Sequence, residues 1–293
     1  MRRVTHMIVM TVAALGSPAL AHAQSPAAHD EAPTRVQEEA PAFFRNVPDA
    51  APADGPAFKL TPRIAQALLY ETNPASEHAP KRGYWSWATI AGLDVNWRIA
   101  PGAALSLSMQ EKIWRYPRRI AWHSNDSSAV AALTLESAGF SYGARVNGFM
   151  SHDARFGALI ERRVDVGLFV SRAIVEPLTG ARLTPSLSVS RRFADDPASD
   201  KWRVGANMAI VKRIGAVELT ARLGLAHETF RRCAARPCRI DRGATASLGA
   251  SWTPRPGVEI GASLDVERYL STRRDQSYTA LTATPRIGAK MDF

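Results

Sequence analysis

Two cysteines in 293 residues exclude a disulfide-dense miniprotein, and they cannot by themselves complete a zinc site. After the first 23 residues no stretch approaches the roughly 18 consecutive apolar residues of a membrane-crossing helix. Collagen-like and coiled-coil repeats are missing too, and no catalytic signature stands out along the chain. Charged residues make up only 22% and hydrophobic residues 46%, which is too ordinary a balance for wholesale disorder. What is present is a surplus of base, 37 Lys and Arg against 27 Asp and Glu, for a formal charge of +10.

The first residues read as an export signal. Arg2 and Arg3 form a basic start, Met7 to Leu20 is mostly apolar, and Ala21-His22-Ala23 supplies the small residues a signal peptidase needs. Residues 1–23 are therefore expected to be removed, and no cysteine lies just past the cut to carry a lipid. Export through an oxidising compartment makes a Cys233–Cys238 disulfide the expected state of the two thiols. Residues 24–60 are rich in Ala and Pro and net acidic, through Asp30, Glu31, Glu38, Glu39, Asp49 and Asp54. They bury too little apolar surface to offset ordering entropy, so they read as a flexible leader. The positive charge belongs to residues 61–293.

That region alternates with period two. One face of the first clear run carries Trp85, Trp87, Ala91, Leu93, Val95, Trp97 and Ile99, while the other carries Ser86, Ala88, Gly92, Asp94, Asn96 and Arg98. Similar runs recur at Leu183–Ser190, Arg203–Ile210, Val217–Leu225, Ala244–Trp252 and Val258–Glu267. These are strands and not helices. Each lasts about ten residues, the length with which a tilted strand crosses hydrocarbon.

A soluble sandwich and a membrane barrel both use such strands. The barrel is favoured because charges persist mid-strand on the polar face and because aromatic residues gather at strand ends. Trp85, Trp87, Trp114, Tyr116, Phe193, Trp202, Tyr269 and Tyr278 are expected to form one girdle, and Trp97, Trp252 and Phe293 the other. Short turns also alternate with longer polar loops, at Tyr116–Ser128, Ala194–Lys201 and Glu228–Arg242. Eleven strands count back from Phe293, and the even number used by bacterial barrels makes Arg63–Tyr70 the twelfth. The expected fold is thus all-β, an antiparallel transmembrane barrel of about twelve strands, with bulges at Pro185 and Pro285.

The C-terminal Ile287, Ala289, Met291 and Phe293 alternate up to a final aromatic ring. This segment resembles the closing strand of bacterial outer-membrane β-barrels. The resemblance implies recognition by the barrel-assembly machinery and residence in the outer membrane.

By alternation the expected lumen-lining residues include Arg98, Lys112, Arg145, Arg163, Arg192, Arg203, Arg213, Arg222, Arg286 and Lys290. Opposing them are Asp94, Asp165, Glu218, Glu259, Asp265, Glu267 and Asp292. A surplus of base fits a small pore or export-associated channel weakly preferring anions. An ion-paired, non-conducting barrel with structural or adhesive loops is the competing reading. His123-Ser124-Asn125-Asp126 resembles the serine and histidine of outer-membrane phospholipases, which would imply a membrane-embedded hydrolase. In that family one residue separates the two, whereas here they are adjacent and a strand would point them apart. His78, His123, His152 and His227 all map to one end, where chance scatter explains them better than a metal site, so neither metal nor cofactor is expected. Loop arginines, among them Arg115, Arg118, Arg119, Arg231, Arg232, Arg236, Arg239, Arg242, Arg273 and Arg274, suit lipopolysaccharide phosphates. The expected partners are outer-membrane lipids and that assembly machinery, with no nucleic acid, and the expected state is monomeric.

The closing segment makes one prediction. Phe293→Asp puts a charge where the resemblance requires an apolar ring, so the chain should fail to reach a heat-modifiable, membrane-integrated form. Gel migration of envelope fractions with and without heating checks this.

Overall fold

Residues 57–72, 83–117, 123–231, 238–273 and 276–293 are described by a computed structural model. The signal segment, all of the leader before residue 57, Cys233, His78 and Arg118, Arg119, Arg232, Arg236 and Arg274 lie outside those residues.

The pattern of period two becomes one antiparallel sheet. Its strands are β1 (Phe58–Glu71), β2 (Tyr84–Ala100), β3 (Ala103–Arg115), β4 (Ser124–Ser137), β5 (Phe140–Asp153) and β6 (Leu159–Ser171). They continue as β7 (Ile174–Val175), β8 (Arg182–Ala194), β9 (Lys201–Ile214), β10 (Val217–Phe230), β11 (Ile240–Arg255), β12 (Val258–Ser271) and β13 (Tyr278–Lys290). All but the two-residue β7 are long. Each long strand pairs with its chain neighbour, β6 passes directly to β8, and β13 returns to β1, so the sheet closes into a twelve-stranded barrel.

Closure runs past the ladder itself. Leu60 and Phe293 exchange backbone hydrogen bonds at 3.1 and 2.9 Å, and the Met291 amide donates to Pro62 at 3.2 Å. Lys59 and Thr61 both reach the Asp292 carboxylate, at 3.0 and 2.7 Å. The first strand thus begins at Phe58 and absorbs Phe58, Lys59 and Leu60, which composition alone assigns to the leader. Thr61-Pro62, which also suits a helix cap, lies inside a strand because its partners on β2 and β13 supply the ladder that a lone segment lacks.

The two ends of the barrel differ. At the turn end, connections are as short as Pro101-Gly102, Ala138-Gly139, Gly215-Ala216 and Pro256-Gly257. Ala138 and Gly139 both have positive φ, 51° and 77°, as a two-residue hairpin turn requires to match strand twist. That turn explains why the alternation changes phase near Ala138. The link from β6 to β8 is longer and folds on Glu176, whose carboxylate accepts from the Leu178 and Thr179 amides and the Thr179 hydroxyl. Those donors, the Thr179 hydroxyl first, hold the Glu176 carboxyl below its ordinary pKa. At the loop end lie the remaining connections, three of them shorter than expected because strands extend into them. Ser124, Asn125 and Asp126 open β4, Phe230 ends β10 and Ile240 opens β11.

The two prolines produce no bulge. Pro185 pairs with Met208 and Pro285 with Ala262 in unbroken register. Where Pro285 faces β1 the ladder instead falls silent opposite Leu68 and Leu69 and resumes at Tyr70 with the same register. A missing amide removes a hydrogen bond, but it adds no residue and so cannot shift a strand. The register does shift at Arg98/Ala100, Ser151/His152 and Trp252/Arg255, all close to strand ends.

Glycine supplies one close approach. A Cβ on Gly143 would lie 1.9 Å from the Leu133 carbonyl oxygen and 3.1 Å from the Phe169 ring. Gly143→Ala should therefore push β5 from β4 and cost about 1–3 kcal/mol, to be measured as a lower urea midpoint for the detergent-folded barrel.

Candidate functional site: the barrel lumen

Strand parity decides what faces out. Leu187, Val189, Val204, Leu219, Leu223, Leu225, Leu248, Leu264 and Val266 are exposed and lie on one face of their strands. The outward aromatic girdle contains Trp85, Trp87, Phe193 and Trp202 at the loop end, with Trp97, Trp252 and Phe293 at the turn end. The other half of the expected loop-end girdle is turned inward. Trp114 is only 3% exposed, against 53% for Trp85, and Tyr116, Tyr269 and Tyr278 are buried with it. Trp114 and Tyr116 continue the face of Ser108 and Lys112, and Tyr269 continues that of Asp265, so the pleat places them inside.

These inward rings belong to a layer of packing. Next to the loop end every long strand except β8 contributes a buried inward side chain, from Leu69, Ser86, Trp114 and Asp126 round to Glu228, Asp241, Tyr269 and Tyr278. Ala65, Ala67, Leu69, Ala88, Ile90, Trp114 and Tyr116 form its apolar cluster, and Tyr269 stacks on Tyr278 with ring centroids 5.2 Å apart. At the turn end the buried inward side chains are limited to small ones on β3 and β4, Ser106, Ala132 and Thr134, among the described residues. Between the ends, Asn207 is inward-facing yet exposed. The lumen is filled at its loop end, and its inward side chains are less buried towards its turn end.

Charges in the filled part are paired. Glu228, 1% exposed, receives Lys201 at 2.7 Å and Arg203 at 3.7 Å. Asp241 takes Arg239, which also reaches Gln276, and Asp126 accepts from Ser151 at 2.7 Å. Lower down, Asp94 binds Arg63 at 3.3 Å and the Ser108 hydroxyl at 2.6 Å. Asp165 holds Arg192 through two bonds of 2.8 and 3.2 Å. Nearest the turn end, Glu218 meets Arg213, and Glu259 meets both Arg286 and Lys290. Asp265 accepts from Ser263 at 2.9 Å. Arg98, Arg145 and Arg222 sit on the same inward faces, half-buried, and Lys112 is buried near the Trp114 ring.

Sequence reasoning missed Arg63, because β1 is the least legible strand, and it missed the acids Asp126, Glu228 and Asp241, because they fall at strand ends read as loops; Glu161 lies within an expected strand and was not picked out. Strand-end alternation carries that signal. Two polar pairs also break the outward face. Gln66 and Thr89 bond across β1 and β2 at 3.0 Å, and Glu111 accepts from Ser127 at 2.5 Å across β3 and β4. Pairing satisfies donors that lipid cannot.

The residues singled out at the loop end do not converge. A ring nitrogen of His123 lies 3.1 Å from the Tyr116 carbonyl oxygen, while Ser124 is buried at the start of β4. Burial, and then the nearby Arg115 guanidinium, lower the His123 pKa. No cluster of His, Cys, Asp or Glu that could hold a metal occurs among the described residues.

Comparison with known proteins adds architecture only. No family model and no curated protein matches the chain. Among solved structures it is similar to an outer-membrane channel from Pseudomonas putida F1, at 11% identity and a TM-score of 0.49, covering 87% of this chain and 100% of that one. The translocator domain of autotransporter NalP from Neisseria meningitidis matches at 11% identity and a TM-score of 0.43, covering 84% and 93%. An anion-selective porin from Comamonas acidovorans matches at 8% and 0.43, covering 80% and 99%. Such distant likenesses transfer no residue's role.

The buried pair gives a prediction. Lys201→Met removes the 2.7 Å partner of the buried Glu228 and should cost about 3–5 kcal/mol, whereas the double variant Lys201→Met with Glu228→Leu should recover most of that loss. Urea unfolding of the two folded variants checks it.

Proposed function

We propose that the chain is a monomeric outer-membrane barrel that acts as a narrow channel with a weak preference for anionic solutes. The outward apolar band and its two aromatic rims support a membrane position, with the loop end outside and the turn end towards the periplasm. The observation that carries the channel reading is the unequal filling of the lumen. Asn207 is exposed on the inward face of β9, while the loop-end third is packed around Trp114, Glu228 and the stacked tyrosines. Water reaches the middle from the periplasm, and the packed layer sets the resistance. Half-buried inward arginines, Arg145 and Arg222 at mid-strand and Arg98 nearer the turn end, lower the barrier for negative ions.

Export through a cleaved signal, folding by the barrel-assembly machinery through the Phe293 segment and a Cys233–Cys238 bridge belong to the same reading, as do loop arginines on lipopolysaccharide phosphates. A second reading, a non-conducting scaffold for its loops, draws on the same packed layer. A phospholipase-type hydrolase has the least support, since His123 meets a backbone carbonyl and Ser124 is its immediate neighbour on a strand.

Planar-bilayer recordings separate these readings. The expected result is small conductance with reversal potentials favouring anions, raised in Trp114→Ala and shifted towards cations in Arg222→Glu. Silence from the folded wild type and from Trp114→Ala would establish the scaffold instead.

A further inference from the structure

Most lumenal arginines have a carboxylate of their own. Arg145 differs. Among the described residues no carboxylate stands within ion-pair distance of it, and the carboxylate that attracts it, Asp165, is engaged by Arg192 through two hydrogen bonds. A like charge, Arg203, repels it. The register explains the approach. Arg145 lies opposite Gly167, Gly167 opposite Ser190 and Ser190 opposite Arg203, so the two guanidiniums bracket a floor made of a glycine and a serine. That floor is tight, since a Cβ on Gly167 would fall 2.8 Å from the Ser190 Cβ. Two residues further along β9, Gly205 lies opposite Ser188. The wall facing the two arginines is therefore low, and Asn207, beyond Gly205 on β9, is exposed.

Two half-buried cations that repel each other, with small side chains between them, are unfavourable unless something negative joins them. We propose that Arg145 and Arg203, with the Ser190 hydroxyl, form a binding site for a divalent oxyanion entering from the turn end. Guanidinium offers planar, paired donors to a phosphate or carboxylate. Arg203 is already shared with Glu228, so Arg145 carries most of the anion's charge. The ligand class is a small dianion, phosphate or a dicarboxylate. A long polyanion is excluded by the packed layer above. The proposal rests on the channel reading for the anion's route of entry, but binding itself does not require conduction.

Isothermal titration of the full chain folded in detergent, at fixed ionic strength with chloride as background, tests it. Inorganic phosphate and succinate are titrated separately. At least one should bind, and Arg145→Gln should weaken that binding by roughly tenfold, the worth of one charge-assisted contact. Arg268→Gln, on the outward face of β12, should leave it unchanged. A response to phosphate alone assigns the site to phosphate and its esters, and a response to succinate alone to organic acids. If Arg145→Gln loses its heat-modifiable band, Arg145→Lys keeps the charge, loses the planar fork and should still weaken binding several-fold. No binding by the wild type, or equal affinity in whichever Arg145 variant folds, overturns the site. Intact binding in a barrel silent in bilayers removes the channel and keeps the site. Conductance without binding does the reverse.

Discussion

In lipid no water is available to a bare amide, so a sheet in a membrane must have no edge. The seam between β1 and β13 satisfies that demand, and much else in the structure is a consequence of it. The backbone bonds of Leu60 and Phe293, and the Asp292 carboxylate shared by Lys59 and Thr61, carry the seam beyond the last ladder pair, Arg63 with Lys290. Once the ring is closed, the pleat leaves each side chain one of two fates, lipid or lumen. Even the exceptions obey: Gln66 with Thr89 and Glu111 with Ser127 face outward only as hydrogen-bonded pairs.

The same logic shapes the interior. Charges enclosed by the loop-end layer have water on neither side, and Glu228, Asp241 and Asp126 are accordingly bonded to neighbours. Towards the turn end, side chains are half-buried and the ion pairs more open, as at Arg213 with Glu218. Filling at one end and openness at the other make the barrel a cup.

Much of this was legible in sequence because period two is itself the geometry of a strand. The runs around Trp85, Val217 and Val258 fixed their strands and faces without help. What escaped had a physical reason in each case. β1 was obscured because Thr61-Pro62 with Ile64 and Leu68 also suits a capped helix, and only pairing with β2 and β13 excludes that. Trp114, Tyr116, Tyr269 and Tyr278 read as lipid girdle from their place at strand ends, although parity with Lys112, Asp265 and Arg286 puts them inside. In a closed barrel the face of a strand governs, and position along it does not. A proline suggests a bulge because it removes a donor, but a bulge needs an added residue. The acids of the loop-end layer, Asp126, Glu228 and Asp241, lie at strand ends that also read as loops, whereas Asp94, Asp165, Glu218 and Glu259 are plain from alternation. Cross-lumen proximity, such as that of Arg145 and Arg203, could not be read from sequence at all, since it depends on three successive registers.

The seam also orders events in time. β1 and β13 lie at opposite ends of the described chain, and their pairing is the contact of greatest sequence separation in the fold. Synthesis delivers β1 first and its second neighbour last, so one margin of that strand stands open while all the intervening hairpins are made. Local pairs such as β4 with β5 can form within their own turn, but the ring cannot close until the whole sheet has been assembled, and contacts of such high order are slow. The exposed margin of β1, with Ile64 and Leu68 beside it, is the segment most in need of shelter during that wait.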